Sequence, residues 1–243
     1  MMKTIVMIPT FNERDNIITL INKILSLPIK DISVLVVDDN SPDGTWKIVE
    51  ELASKNPRVQ VLRRLKKRGR GHAGVDGFKH CIREGADYIV EMDGDLSHNP
   101  EYIKDMLREM ELYDVVTASR FIKGGSDNAR GVFRQCVSRF ASVYARWLLG
   151  VDVKDPSLGF RCFRRRVLEA IDLDEIISSG PSIVLEISYK IKLLGFSIKE
   201  IPVIFSDRKY GEAKLDFLTL LETFLVVLKL RKMHKQGRMI YHQ

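Results

Sequence analysis

Tyr88-Ile89-Val90-Glu91-Met92-Asp93-Gly94-Asp95-Leu96-Ser97-His98-Asn99-Pro100 is the stretch on which the reading of this chain turns. The apolar Tyr88-Ile89-Val90 has Gly85 before it and an acidic cluster after it, the length, β-branching and stops of a short buried strand. Asp93 and Asp95 fall where that strand is expected to end. Residues two apart on a strand share a face, so the two carboxylates are expected to point the same way. In a parallel α/β sheet, ligands bind at the carboxyl ends of the strands. Two carboxylates flanking Gly94 suit Mg²⁺ or Mn²⁺, which a protein holds through one or two acids while substrate phosphates complete the shell. The same Asp-Gly-Asp also reads as turn chemistry, since Asp and Gly are what loops prefer.

Outward from that strand the chain repeats one unit. Residues 3–8 form a β-branched strand closed by Pro9-Thr10-Phe11-Asn12-Glu13, and Ile17, Leu20, Ile21, Ile24 and Leu25 follow at helical spacing. Residues 32–37 are apolar without alternation, as a strand covered on both faces is. They stop at Asp38-Asp39-Asn40-Ser41-Pro42-Asp43-Gly44, ahead of a helix through Trp46, Ile48, Val49 and Leu52. A third strand spans 59–62, and a basic loop through Gly69-Arg70-Gly71 leads into a helix from about 72 to 83. After the strand that carries Asp93, a helix capped by Asn99-Pro100-Glu101 precedes a fifth strand at 114–118, ending in Ser119-Arg120-Phe121. This β-α repeat predicts a doubly wound, mostly parallel sheet to about residue 120. The polar clusters at 10–13, 38–41 and 93–97 then meet on one edge, and turn preference alone does not explain such convergence.

Beyond Ile122 the repeat breaks. Lys123-Gly124-Gly125-Ser126-Asp127 is a polar loop of the kind that covers a substrate, and Arg134, Arg139 and Arg146 form the basic side of an amphipathic helix. A turn at 155–161 enters a short strand, a helix spans about 183–194, and a strand runs from 198 to 205. A basic glycine-containing loop, 207–214, follows. In the apolar run 215–230, Asp216, Thr219, Thr223 and Lys229 mark one polar stripe. Its sixteen positions reach only about 24 Å, short of the roughly 30 Å of a bilayer's hydrocarbon core. A basic tail beside a wide apolar face suits a helix lying at a membrane surface, or one packed on the body of the protein. The expected division is therefore a catalytic domain over 1–214 and an amphipathic helix with a basic tail over 215–243, facing a membrane or a partner.

The net charge of +7 favours anionic partners. Taken alone, the acid-free run from Arg63 to Arg70 and the basic tail after Lys229 read as a solvated loop and a frayed end. Three widely spaced cysteines, Cys81, Cys136 and Cys162, exclude a disulfide framework and a zinc site and point to a reducing compartment. The start runs straight into a strand, with no signal peptide expected.

Taken together, Ile8-Pro9-Thr10-Phe11-Asn12-Glu13, the run from Val36 to Thr45, Met92 to His98, Ser119-Arg120-Phe121, 155–161 and 205–214 resemble glycosyltransferase family 2, and within it the dolichol-phosphate mannose synthases. The resemblance implies a GT-A fold that moves mannose, with inversion, from GDP-mannose to dolichyl or another polyprenyl phosphate. It implies that Pro9, Phe11, Glu13, Asp38 and Asp39 lie on the donor side with Asp93, Gly94 and Asp95. Asp93, Asp95 and Ser97 would hold Mg²⁺ or Mn²⁺. Asp95, Arg208 and Lys214 would serve catalysis, the last two on the departing diphosphate, while Arg120 and Arg134 would receive the lipid phosphate. Such an enzyme works on the cytoplasmic face of a membrane (plasma membrane or endoplasmic reticulum), attached peripherally or through a small membrane subunit.

The chain departs from the family pattern at Phe11, Leu158, Val184 and Ala213. The last three bear on the acceptor side and the 207–214 loop. A UDP-glucose-dependent polyprenyl-phosphate glucosyltransferase is the nearest alternative. A haloacid-dehalogenase-like phosphatase would also carry Asp-Gly-Asp-Leu-Ser, but on its first strand rather than its fourth. Nucleic acid is not expected as a partner, because the acidic edge opposes a phosphate backbone and the aromatic residues are placed as core.

Overall fold

The computed structural model describes residues 2–127, 131–205 and 217–237. Seven strands form one sheet: β1 (Thr4–Thr10), β2 (Ile32–Asp38), β3 (Val59–Arg63), β4 (Tyr88–Glu91), β5 (Val115–Ser119), β6 (Arg161–Arg164) and β7 (Ile198–Pro202). Their order is β3-β2-β1-β4-β6-β5-β7, all parallel except β6, which runs antiparallel between β4 and β5. Helices α1 (Arg14–Leu25), α2 (Thr45–Ala53), α3 (Arg70–Arg83), α4 (Tyr102–Glu109), α5 (Val132–Leu149), α6 (Arg165–Ala170), α7 (Ile183–Leu193) and α8 (Phe217–Lys235) complete the described elements.

The unalternating strands are explained by two cores. Val6, Ile8, Val34 and Val36 pack with Ile17, Leu20, Ile24 and Met106 on one face, while Ile5, Met7, Leu35 and Val37 pack with Phe78, Ile183 and Ile187 on the other. Successive side chains of β1 and β2 thus enter opposite cores, and the central positions Ile5–Ile8 and Val34–Val37 are all apolar. Close approach on the second face depends on Gly77 of α3, where a Cβ would lie 2.8 Å from Met7 Cγ and 2.9 Å from Val37 Cγ2.

Register brings the strand ends together. Thr10 pairs with Asp38, Asp38 with Arg63, and Met7 with Glu91. Strand order reverses between β1 and β4, and the crevice beyond such a reversal is where doubly wound sheets bind ligands. The expected reading of Asp93 and Asp95 as strand residues is corrected here. β4 ends at Glu91, so both acids lie in the following loop, and their orientation comes from loop hydrogen bonds rather than strand alternation. The last strand is also shorter than its apolar pattern: β7 stops at Pro202, and Ile204 makes a separate bridge with Ser126.

A third cluster joins α5, α7 and α8 through Ala145, Leu149, Leu185, Tyr189, Val227 and Leu230. The C-terminal helix therefore packs on the body along one side.

Gly77→Ala is expected to destabilise the protein by about 1–3 kcal/mol through overpacking of α3 on the sheet, read as a lowered urea midpoint. An unchanged midpoint would contradict the close packing.

Candidate active site

At the end of β1, Thr10 Oγ1 donates to Asp38 Oδ2 at 2.8 Å, and Ser41 donates to the same carboxylate from its amide and its hydroxyl at 2.8 and 2.7 Å. Asp38 is fully buried and ties the two strand ends together. Asp39 is also buried: its Oδ1 pairs with Arg64 and its Oδ2 accepts the Gly69 amide at 2.7 Å. Arg64 reaches on to Asp76 at 2.7 Å and to the Lys67 carbonyl at 3.0 Å. Pro9 and Phe11 are half-buried beside this cluster, with the Arg68 guanidinium 5.7 Å from the Phe11 ring. The Glu13 amide is held by Thr45 Oγ1 at 3.0 Å and its carboxylate accepts Asn16 Nδ2 at 2.9 Å.

The loop after β4 abuts that cluster. A Cβ on Gly94 would lie 3.1 Å from Thr10 Cγ2 and 3.4 Å from Glu13 Cγ. Asp93 Oδ1 accepts Arg70 Nη2 at 2.8 Å, and the Asp93 amide donates to His98 Nδ1 at 3.2 Å. Asp95 is buried, its Oδ1 accepting the Ser97 amide at 3.1 Å and the Ser97 hydroxyl at 2.5 Å. Turn chemistry and site chemistry are thus the same bonds. Leu96 takes a left-handed backbone (φ 62°), as do Asn12 (59°) and Asn40 (55°) in the two neighbouring loops. Asn tolerates that region, whereas for Leu it is a strained conformation.

Gly69 and Arg70, consecutive in sequence, bind the acids of two different strand ends: the Gly69 amide holds Asp39, and the Arg70 side chain holds Asp93. Arg70 also donates to Glu91 Oε1 at 2.9 Å, and Arg161 donates to Glu91 Oε2 from Nε at 3.0 Å and Nη2 at 2.5 Å. Arg161 continues to the Val184 carbonyl at 3.0 Å. Burial pushes the Glu91 carboxyl up, but Arg161 and Arg70 outweigh it and hold its pKa below the ordinary 4.5. The reading of residues 63–70 as a solvated basic loop holds for Arg63, Lys66, Lys67 and Arg68, which are exposed, and is corrected for Arg64, buried, and Arg70, half-buried, both held in ion pairs. No sequence period marks them; an acid-free basic run opposite two acidic loops was the available signal.

Arg120 is buried, with Nε and Nη2 donating to Asp155 at 2.7 and 2.8 Å and Nη1 3.9 Å from Asp127. Burial lowers its pKa, and Asp155 together with Asp127 and Asp93 outweighs that, leaving the guanidinium above its ordinary value. Leu158 packs in the first core, and Val184 contributes its carbonyl to Arg161. Arg208, Lys214 and Ala213, the side chain of Arg134 and the 214/215 division lie outside the described residues.

Among the described residues no group of three or more His, Cys, Asp or Glu side chains forms a metal cage. Asp93 and Asp95 with the Ser97 hydroxyl nonetheless form an oxygen donor set that fits Mg²⁺ or Mn²⁺, cations that rely on substrate phosphates for the rest of the shell.

A doubly wound sheet with one antiparallel strand, and paired acids in the loop at the strand reversal, define a glycosyltransferase of the GT-A kind. The chain belongs to glycosyl transferase family 2, whose model matches residues 5–172. It is 38% identical over 215 residues to polyprenol monophosphomannose synthase of Mycolicibacterium smegmatis, covering 88% of this chain and 81% of that one. It is 36% identical to undecaprenyl-phosphate mannosyltransferase of Micrococcus luteus, with 88% of each chain covered. Dolichol-phosphate mannosyltransferase of Pyrococcus furiosus is 37% identical over 95% of this chain, which spans 64% of that protein. Among solved structures, mannosyl-3-phosphoglycerate synthase of Rubrobacter xylanophilus superposes with a TM-score of 0.70 at 18% identity, over 98% of this chain and 75% of that one. Glucosyl-3-phosphoglycerate synthase of Mycobacterium tuberculosis, in complex with Mn²⁺, UDP and glucosyl-3-phosphoglycerate, gives 0.68 at 20% identity over 95% and 80%. Those two likenesses speak to the fold alone.

Glu91→Gln removes the carboxylate that buried Arg161 shares with half-buried Arg70 and is expected to cost about 3–5 kcal/mol at pH 7. A carboxylate with a lowered folded pKa contributes stability above its unfolded value, and loses it as the pH falls through the folded one. The urea-midpoint gap between wild type and variant should therefore be full at pH 7 and shrink well below pH 4.5, Glu91's ordinary value. A gap independent of pH would sink the network.

Proposed function

We propose that this chain transfers mannose from GDP-mannose to the phosphate of a dolichyl or other polyprenyl phosphate, inverting the sugar. The single observation that carries the reading is the convergence of the Asp39 and Asp93 loops through Gly69 and Arg70, beside the Thr10–Glu13 turn. Support for mannose and for a lipid phosphate comes from the relatives named for those substrates, at 36–38% identity.

In this reading Pro9, Phe11, Glu13 and Asp39 border the guanosine, with Asp38 setting the shape of the turn. A divalent cation held by Asp93, Asp95 and Ser97 would supply charge neutralisation for the departing diphosphate. Arg208 and Lys214 add fixed positive charge there. Asp155 orients Arg120 through Nε and Nη2, and Arg120 and Arg134 would receive the lipid phosphate. Such a phosphate is anionic near neutral pH and needs no strong base. Catalysis then rests on placement and charge.

The acceptor's lipid tail has a matching surface. Phe140 (74% exposed), Val143 and Trp147 (77% exposed) line the outer side of α5, and Leu221, Phe224, Leu225 and Leu228 lie exposed on α8. Tyr144 stacks on Phe224 at 4.6 Å and joins the two helices. Exposed Arg139, Lys229, Lys232 and Lys235 are carried on the same helices, the pairing of apolar and cationic groups that binds an anionic membrane surface. No described helix is long and apolar enough to cross a membrane, which is compatible with peripheral attachment at the cytoplasmic face.

Calorimetry with Mg²⁺ or Mn²⁺ is expected to show clear preference for GDP over UDP, and Asp95→Asn should lower transfer from radiolabelled GDP-mannose by about 10²-fold or more with folding intact. A UDP preference would give the donor assignment to the glucosyltransferase alternative. Trp147→Ser with Leu225→Ser should impair transfer to long-chain acceptor in vesicles while sparing a short soluble polyprenyl phosphate. Equal loss on both acceptors would deny the face its role.

A further inference from the structure

His98 is enclosed, 3% exposed, yet its Nε2 has no hydrogen-bond partner. Buried polar nitrogens seldom go unpaired, so an orphan one calls for a reason. The ring lies flat on Phe160, centroids 5.0 Å apart, with Phe205 edge-on at 5.9 Å. Neither wall offers a strong acceptor. A backbone amide can only donate, so the bond from the Asp93 amide makes Nδ1 the acceptor and puts the proton of the neutral ring on Nε2. That Nε2–H lies 3.9 Å from Asp93 Oδ2, too long for a hydrogen bond. The imidazole thus spans the backbone and the carboxylate of the same residue. The groups charging its surroundings are Asp93, Asp95, Arg70 and Arg120, and Asp93 is the carboxylate it approaches.

We propose that His98 is a positioning residue for the donor site, its Nε2–H donating to Asp93 Oδ2 once the donor and its cation are bound. The inference rests on the donor reading above. A carboxylate shift of about 1 Å closes the pair to bonding distance, and hydrogen bonds that are long in an empty site commonly tighten on loading. With Arg70 on Oδ1 and His98 on Oδ2, Asp93 is then held at both oxygens while it faces the cation. A residue of this kind acts through the ligand it orients, and its loss typically weakens metal binding 10–100-fold.

Three substitutions separate the two ring nitrogens. His98→Asn keeps an acceptor near Nδ1 and removes the Nε2 donor; His98→Gln keeps a donor near Nε2; His98→Phe keeps only the stack. The expected result is Mn²⁺-dependent GDP binding, measured by calorimetry, weakened tenfold or more in H98N and H98F and close to wild type in H98Q. Thermal melts establish that each variant is folded. In ¹⁵N-histidine spectra of the ligand-free wild type, the His98 resonance should show the Nε2–H tautomer, and Mn²⁺'s diamagnetic substitute Mg²⁺ with GDP should shift it. The opposite tautomer, or undiminished binding by folded H98N, overturns the role of His98 alone. Failure of wild type to bind GDP with Mn²⁺ overturns the donor reading and this inference with it.

Discussion

Arg70 bridges a buried glutamate and a partly exposed aspartate, and most of the site's order descends from that bridge. Enclosing Arg161 and Glu91, with Arg70 half-buried beside them, strips the pair of water, an expense of several kcal/mol per ion that only close pairing offsets. The geometry meets that demand on every side: Glu91 takes one arginine on each oxygen, and Arg161 spends its remaining donor capacity on the backbone of α7. Gly159 belongs to the same arrangement, since a Cβ there would stand 2.3 Å from Arg70 Nη2. The β6 loop can approach Arg70 only because that position has no side chain. One guanidinium thereby fixes the depth at which β4, α3 and the antiparallel strand meet.

Much of this was visible in the chain itself. Apolar runs without alternation announced strands covered on both faces, and Ile5 and Val6 do enter different cores. The strand-end clusters at Thr10, Asp38 and Asp93 converge as their placement in a β-α repeat requires. What could not be read was partnership across distance. Nothing near Arg70 says that it seeks Glu91, because a basic residue in a glycine loop has the same local signature whether solvated or enclosed. The antiparallel run of β6 is equally silent, since direction is set by which edge a strand reaches and not by its four residues. Asp93 and Asp95 were placed at the right edge for an incomplete reason: the loop's own hydrogen bonds, not the pleat, aim them.

The helices beyond the sheet divide their labour by face. Val227 and Leu230 of α8 are sealed against α5 and α7, while Phe224 and Leu225 remain outside. α8 thus has one apolar side met by protein and a second left exposed beside its lysines. Contact also runs inward from α8: Ser179 donates to Glu222 at 3.3 Å, and the Ser179 carbonyl accepts the Gly71 amide at 2.8 Å. The C-terminal helix and the glycine loop therefore share a support.

Leu96 carries a lesson for anyone engineering thermal tolerance. Its left-handed backbone makes it an obvious target for Gly, which adopts that conformation without steric penalty. The leucine side chain, however, is packed against the first core and anchors the loop from below. Relieving that one dihedral with Gly would give up the packing that anchors the loop, and with it the placement of the two acids.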